Sequence, residues 1–247
     1  MTEWTRCFHP SQEPRARLVC FPHAGGSASA FHPLSKGLAE RGVETRAVQY
    51  PGRQDRYREP FFEKVDALVE TVVEELSPLA DEGIPLAFFG HSMGAVLAFE
   101  AVRRLEREGR RPAALFASAS QAPSLPWPPP GTPSARGADD AALTEDLRLL
   151  SEGTSPVLQH PALLELALPA LRADFLMLEG YEYTPGEQLD CPVVALAGDR
   201  DPRVPVDSVG PWEKETAAGF HMRVMPGGHF YLEDQLPQVV EEIVTRI

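Results

Sequence analysis

Cysteine, basic residues and long apolar runs are all scarce in this sequence. Among its 247 residues there are 3 cysteines, and neither a CxxC nor an HExxH motif occurs, which argues against a disulfide framework or a zinc site. The 23 lysines and arginines are outnumbered by 36 aspartates and glutamates. The resulting net charge of −13 argues against a nucleic-acid partner, because such a surface would repel phosphates. We therefore expect neither a bound metal nor bound nucleic acid.

The sequence also lacks segments that would direct the chain to or across a membrane. Its first residues, Met-Thr-Glu-Trp-Thr-Arg, contain no apolar signal region, and no stretch reaches about 18 consecutive apolar residues. With the scattered cysteines, these absences predict a soluble, cytoplasmic protein without membrane contact. The hydrophobic content of 43% is enough for a sizeable core, and the length predicts one domain, residues 1–247.

Short apolar runs alternate with segments of helical periodicity along most of the chain. Strands are predicted at 18–21, 43–49, 86–89, 113–119, 193–197 and 221–225. Helices are predicted at 31–40, from 65 to 79, after residue 92 to about 105, and from 232 to the end. This alternation predicts an α/β protein with a mostly parallel central sheet flanked by helices, which binds its ligands beyond the carboxyl ends of the strands.

Residues from about 123 to 183 interrupt this alternation. The segment opens on a proline-rich stretch, 123–130, and continues with helical patterns that lack a clear strand. Since long insertions in compact domains are usually functional or disordered, we predict a helical lid over a substrate. A linker with ordinary packing helices is the alternative.

The most informative stretch is residues 90–94, Gly-His-Ser-Met-Gly. It follows a short apolar strand and precedes an alanine-rich helix, which is the context of a nucleophile elbow. Such a turn projects the hydroxyl of Ser92 into a site, and its glycines let the strand and the helix pass close together. The neighbouring His91 is predicted to point into the sheet and to have a packing role.

A serine hydroxyl requires a base, which is itself held by a carboxylate. After an elbow of this kind the acid comes next along the chain, and the base follows it. His229, which follows the predicted strand 221–225, is therefore the predicted base. Asp199 and Asp201 both follow the strand 193–197, and the Gly-x-x-Asp placement favours Asp201 as the acid. Asp199 is then predicted to cap a loop or to lie on the surface.

The tetrahedral intermediate of acyl transfer carries an oxyanion, which needs backbone N–H donors. The residue after the nucleophile, Met93, supplies one amide. The second is predicted to be that of Ala24, in the glycine-rich loop after the first predicted strand. A plain tight turn at Gly25 and Gly26 is the alternative.

Taken together, these segments resemble the stand-alone type II thioesterases of polyketide and nonribosomal peptide synthesis. The resemblance covers nearly the whole chain and rests on residues 21–28 (FPHAGGSA), 50–56 (YPGRQDR), 90–94, 168–175 (LPALRADF) and 227–230 (GGHF). It implies an α/β-hydrolase fold with an inserted lid. It also places the acid at Asp201 and the oxyanion amides at Met93 and Ala24.

The resemblance further implies a function in the editing of assembly lines that make antibiotics. Members remove stalled acyl groups from the phosphopantetheine arms of acyl or peptidyl carrier proteins, and they need no cofactor of their own. Because the chain begins at its own Met1, we expect a discrete enzyme. The usual Gly-Gly before a lid threonine is Glu152-Gly153 before Thr154 here, which leaves the acyl-chain preference open.

Carrier proteins are usually acidic, as this chain is, so docking would require a local basic patch. Five arginines are candidates for it: Arg103, Arg104, Arg107, Arg110 and Arg111. The alternative is a solvated helix face that pairs with acids such as Glu106 and Glu108. Three other functions also stay open: a general carboxylesterase or lipase, acyl transfer to an alcohol or amine, and a non-catalytic scaffold on the same fold.

Overall fold

The computed structural model describes residues 4–126, 129, 132, 134–153 and 155–247. A seven-stranded sheet is built from β1 (Thr5–Arg6), β2 (Ala16–Phe21), β3 (Val43–Val48), β4 (Leu86–His91), β5 (Leu115–Ser118), β6 (Val193–Gly198) and β7 (Phe220–Met225). Its strand order is β1-β3-β2-β4-β5-β6-β7. β1 is antiparallel to β3 and every other pair is parallel. The carboxyl ends of β2 to β7 therefore share one edge.

The helices of the described residues are α1 (His32–Ala39), α2 (Val65–Ala80), α3 (Met93–Arg107), α4 (Asp140–Leu150), α5 (Pro156–Gln159), α6 (Pro161–Glu179) and α7 (Leu236–Val244). Short 3-10 helices lie at Ala28–Phe31, Gln54–Arg56, Val206–Ser208 and Gly210–Glu215. None of the helices in this described part is long and apolar enough to span a membrane.

The predicted strands and helices are present, with shifts of a few residues at their ends. β1 was not predicted, because two residues are too short to show the alternation of a strand. The closing helix begins at Leu236 and not at 232, since residues 229–234 form turns instead. The sequence pattern therefore identified the parallel sheet and missed only its short antiparallel edge.

Successive side chains of each strand enter different apolar layers, because they point to opposite faces of the sheet. In β4, Phe88 belongs to the layer beneath α2 and α3, whereas Phe89 packs in the layer with α1 and α7. α3 is buried over most of its surface, as its apolar sequence predicts. Two helical layers thus cover the sheet and hold its strands in place.

The predicted insertion follows β5 and carries α4, α5 and α6. In the part of residues 123–183 that is described, no strand occurs. The segment has a small apolar cluster of its own, in which Leu143 meets Leu168 and Leu171, and Ala24 packs against this cluster. The insertion therefore lies over the loop that follows β2. Trp127, Pro128 and Pro130 of the predicted proline-rich stretch, and Thr154, are outside the described residues.

Candidate active site

Ser92 lies in a strained turn between β4 and α3. Its backbone angles are φ 56° and ψ −119°, and positive φ is uncommon for residues other than glycine. The Ser92 amide donates a 2.8 Å hydrogen bond to the carbonyl of Ser118, at the end of β5. The turn therefore holds Ser92 at the carboxyl edge of the sheet, where α3 begins.

The glycines on either side of Ser92 make this turn sterically possible. A Cβ on Gly94 would lie 1.9 Å from the carbonyl oxygen of Phe21, and one on Gly90 would lie 2.1 Å from the carbonyl oxygen of Gly94. Neither space can hold a side chain. α3 consequently packs directly on the end of β2, which brings Ser92 beside the loop that follows β2.

His229 and Asp201 form a buried pair at the same edge of the sheet. Nδ1 of His229 lies 2.7 Å from Oδ2 of Asp201, and the two side chains are 2% and 1% exposed. The other carboxylate oxygen, Oδ1, accepts hydrogen bonds from the amides of Arg203 at 2.8 Å and Val204 at 3.0 Å. The loop after β6 thus fixes the carboxylate, and the carboxylate fixes the imidazole ring.

The competing acid, Asp199, has a different place. Its Oδ1 accepts a 2.8 Å hydrogen bond from the amide of Gly227, and its own amide donates to the carbonyl of Met225. Asp199 is exposed to solvent. It therefore ties together the loops after β6 and β7, which matches the predicted capping or surface position, whereas Asp201 reaches His229.

The loop after β2 lies beside the start of α3, so the two predicted oxyanion amides belong to neighbouring segments. Met93 is the first residue of α3, and an N–H group at that position has no partner within its helix. Ala24 precedes Gly25, whose φ of 72° requires glycine-like freedom. The amide of Gly26 donates to the carbonyl of His23 at 2.9 Å, which closes the turn around Ala24.

A buried hydrogen-bonded chain beneath the site was not predicted from the sequence. Nδ1 of His91 lies 2.9 Å from Oγ of Ser118, which is 2.5 Å from the hydroxyl of Tyr231. Burial, together with nearby His229 and His23, holds the pKa of His91 well below its usual range. His91 thus lies inside the sheet as predicted, but it also connects the elbow to the segment that carries His229.

Ser92, Met93 and His229 line one cavity, which the insertion covers. On the side of the insertion, this cavity is formed by Asp146, Leu150, Phe175, Leu178 and Glu179. The cavity volume is about 60 Å³, well below the roughly 300–1,000 Å³ of typical ligand pockets. Across the described residues, no group of three or more His, Cys, Asp or Glu side chains could hold a metal ion.

Two buried ion pairs join the insertion to the loops around the site, and sequence reasoning found neither. Asp146 of α4 pairs with Arg203, two residues after the predicted acid Asp201. Asp174 of α6 pairs with Arg53 at 2.6 Å. The only sequence signal was that Asp174 and Arg53 each lie in a segment that carries the family resemblance.

The five arginines at 103–111 do not form a free basic patch. Arg103 is buried and pairs with Glu100, while Arg104 pairs with Glu70 and Glu108. Arg110 pairs with Asp81 and Glu108. This part of α3 also lies about 20 Å from Ser92, at the far end of the helix. Three of the five arginines are therefore paired, as the helix-face alternative predicts, although of the predicted acids only Glu108 is a partner. Arg107 and Arg111 are exposed, and docking of a carrier there stays a prediction.

Comparison with known proteins identifies the family. Residues 16–247 match the family model described as the thioesterase domain. Thioesterase PikA5 of Streptomyces venezuelae is 47% identical over 243 residues, which cover 97% of this chain and 84% of that protein. A probable cadicidin biosynthesis thioesterase of Streptomyces griseus is 40% identical over 244 residues, which cover 99% of this chain and 66% of that protein.

Solved structures agree with the sequence comparisons. The type II thioesterase BorB, from the borrelidin biosynthetic cluster, has a TM-score of 0.85 and 37% identity, with 100% of this chain and 97% of that one covered. RedJ, a thioesterase of the prodiginine pathway in Streptomyces coelicolor, has a TM-score of 0.86 and 35% identity, with 96% and 90% covered. These similarities confirm the α/β-hydrolase fold and the resemblance to type II thioesterases. The chain belongs to the thioesterase family and is a hydrolase that acts on thioesters.

Proposed function

We propose that this chain removes acyl groups from the phosphopantetheine arm of acyl or peptidyl carrier domains, with Ser92 as the nucleophile. His229 is the proposed base, and Asp201 is the proposed acid that orients it. The observation that carries this assignment is the buried 2.7 Å contact between His229 and Asp201, in a cavity wall that His229 shares with Ser92.

The proposed reaction proceeds through an acyl-enzyme. Asp201 occupies Nδ1 of His229, which leaves Nε2 to take the proton of the Ser92 hydroxyl. The serine oxygen attacks the thioester carbon, the carbon–sulfur bond breaks, and His229 returns the proton to the departing thiol. Water then attacks the acyl-enzyme, gives its proton to His229, and releases the acid with Ser92 reprotonated.

The amides of Met93 and Ala24 are the proposed donors to the oxyanion. Their two segments adjoin because α3 packs on the end of β2, with only hydrogen at Gly94 facing the Phe21 carbonyl. Donors that are already in place cost nothing to reorganise during the reaction, and each such donor is worth about 3 kcal/mol of transition-state stabilisation.

The carrier partner and the editing role rest on the relatives and on the chemistry. BorB and RedJ come from the borrelidin cluster and the prodiginine pathway, which supports a function in biosynthesis. The proposed steps use protein groups and water alone, so no resident cofactor is proposed. Cys7, Cys20 and Cys191 are free thiols, which supports a reducing cytoplasm as the compartment.

The test is kcat/KM for one short acyl group presented on a carrier protein, on free pantetheine, and as a p-nitrophenyl ester. We expect a strong preference for the carrier-bound thioester, and Ser92→Ala should abolish turnover and labelling by a fluorophosphonate. Ser77→Ala is the matched control, because the hydroxyl of Ser77 on α2 donates to the carbonyl of Val73 in the same helix. This variant should keep the turnover and the labelling of the wild type.

Other outcomes would point to the alternatives. Equal or better turnover of the simple ester would make the carrier protein incidental and indicate a general esterase. An acyl product on an added alcohol or amine would indicate transfer in place of hydrolysis. Full activity of Ser92→Ala would overturn the proposed nucleophile.

A further inference from the structure

The carboxylate of Asp174, on the lid helix α6, reaches the loop that carries the proposed oxyanion amide. Arg53 donates to both of its oxygens, from Nη1 to Oδ2 at 2.6 Å and from Nη2 to Oδ1 at 2.8 Å. The side chains are 8% exposed for Arg53 and 7% for Asp174. Since burying two charges is costly, removal of either one leaves the other without compensation.

The same two side chains hold the backbone of the loop after β2. The amide of Gly25 donates a 2.7 Å hydrogen bond to Oδ2 of Asp174, while Nη1 of Arg53 donates to the Gly26 carbonyl at 3.2 Å. The Gly26 amide in turn bonds the His23 carbonyl, which belongs to the planar peptide group that carries the Ala24 N–H. The ion pair therefore sets the direction of the Ala24 N–H.

Packing reinforces these hydrogen bonds. Leu171 lies one helical turn before Asp174 on α6, and a Cβ on Gly25 would lie 3.1 Å from its Cδ1. Arg53 is itself anchored, since its Nε donates to the Pro51 carbonyl and its guanidinium lies over the ring of Tyr50. The carboxylate of Asp174 thus pairs with a guanidinium, that of Arg53, which other contacts already fix in place.

We propose that Asp174 and Arg53 are positioning residues, which orient the Ala24 amide for the oxyanion only when α6 is docked. This inference rests on the proposed function, since it assumes that Ala24 serves the oxyanion. Phe175 and Leu178 of α6 line the cavity beside Ser92 and His229, where an acyl chain would lie. An acyl chain that does not fit beneath α6 would hold this helix, and Asp174 with it, away from the loop. Such coupling makes the fit of the acyl group a condition for catalysis.

The test separates transition-state stabilisation from substrate binding. Asp174→Asn keeps the shape of the side chain and removes its charge. We expect kcat and kcat/KM to fall together by about 10- to 100-fold, since misplacing one oxyanion donor acts on the transition state. The affinity for a short alkyl boronic acid, whose serine adduct places an oxygen in the oxyanion hole, should fall by the same factor.

Binding of the intact substrate provides the second readout. In a Ser92→Ala background, the Kd of an acyl-pantetheine thioester should stay within about twofold when Asp174→Asn is added, because ground-state binding does not use the oxyanion donors. Asp140→Asn is the matched control. Asp140 lies on α4 and pairs with Arg172, which is on α6 as Asp174 is, but away from the loop. Loss of this exposed ion pair should leave kcat within about twofold.

Two results would overturn the inference. One is an unchanged kcat in Asp174→Asn, and the other is an equal loss of boronate and thioester affinity, which indicates a loosened fold. If Asp174→Asn does not fold, Arg53→Lys takes its place, because lysine keeps the positive charge but cannot form the bidentate hydrogen bonds to Asp174. Failure of the proposed function is seen separately, as wild-type protein that neither hydrolyses the thioester nor binds the boronate.

Discussion

The imidazole ring of His91 lies buried beneath the site. His91 is 1% exposed and lies within a cluster of rings that includes His229 and Phe230. A protonated imidazole in such a place would have to give up its hydration, so burial is the main reason that its pKa is lowered. The neutral ring forms a hydrogen bond with the hydroxyl of Ser118.

This lowered pKa has a consequence for stability. Above pH about 6.5, His91 is neutral in the folded and the unfolded chain, and its contribution to stability is complete. Below that pH the unfolded chain binds a proton that the folded chain does not, so the free energy of unfolding falls by up to about 1.4 kcal/mol per pH unit. In urea titrations between pH 7 and 5, His91→Gln should reduce this slope.

The control for that experiment is Ser118→Ala, which removes the hydrogen-bond partner of the ring but leaves the ring buried. It should lower the free energy of unfolding by about 1–3 kcal/mol and keep the pH slope of the wild type. Identical slopes for wild type and His91→Gln would show that His91 does not cause the acid sensitivity.

At the scale of secondary-structure elements, the site depends on how closely α3 crosses the end of β2. The contact joins backbone to backbone at Gly94, so no side-chain rearrangement can relieve an added methyl group. The elbow, the loop after β2 and the lid helix α6 form one continuous set of contacts. A displacement of α3 would therefore move Ser92 and the loop of Ala24 apart.

The substitution Gly94→Ala should consequently destabilise the fold strongly. We expect a loss of about 3 kcal/mol or more in the free energy of unfolding, and a loss of activity in whatever protein still folds. The control is Gly210→Ala, where a Cβ meets open space and φ is not positive. That change should be neutral or stabilising by up to about 1 kcal/mol. A Gly94→Ala protein with wild-type melting temperature and activity would contradict the close crossing.

The whole molecule carries a net charge of −13, which matters for a partner of the same sign. Ion pairs neutralise Arg103, Arg104 and Arg110, so they offer little attraction to an acidic carrier domain. The average field of the enzyme should then oppose the approach of such a carrier. Dissolved salt screens this repulsion.

The KM for a carrier-bound thioester should therefore fall several-fold as the salt concentration rises from about 0.02 to 0.3 M. The same acyl group on neutral pantetheine is the control, and its KM should not change. A KM that rises with salt would reveal a local basic docking surface. Arg107→Glu and Arg111→Glu would then test the two remaining exposed arginines of the predicted patch.

Local sequence patterns were enough to predict the order of strands and helices, and they indicated the family. Alternation of apolar runs with helical periodicity is a local signal, and so is the elbow at 90–94, since the glycines that it needs lie within two residues of Ser92. The choice of Asp201 over Asp199 rested on such local spacing. The structure pairs Asp201 with His229, and their catalytic roles stay predictions.

The contacts between side chains that are distant in sequence become apparent only in the folded chain. The pairing of Asp174 with Arg53 joins residues 121 positions apart, and the hydrogen bond of Ser118 with Tyr231 spans 113. The family resemblance covers the segments of Asp174 and Arg53, but no local pattern indicates that the two side chains meet. Their pairing depends on where the insertion lies over the sheet. The same reason applies to the five arginines at 103–111, which are close together along the chain. Arg104 and Arg110 pair with Glu70 and Asp81 of the neighbouring segment, and this pairing depends on how the two segments pack.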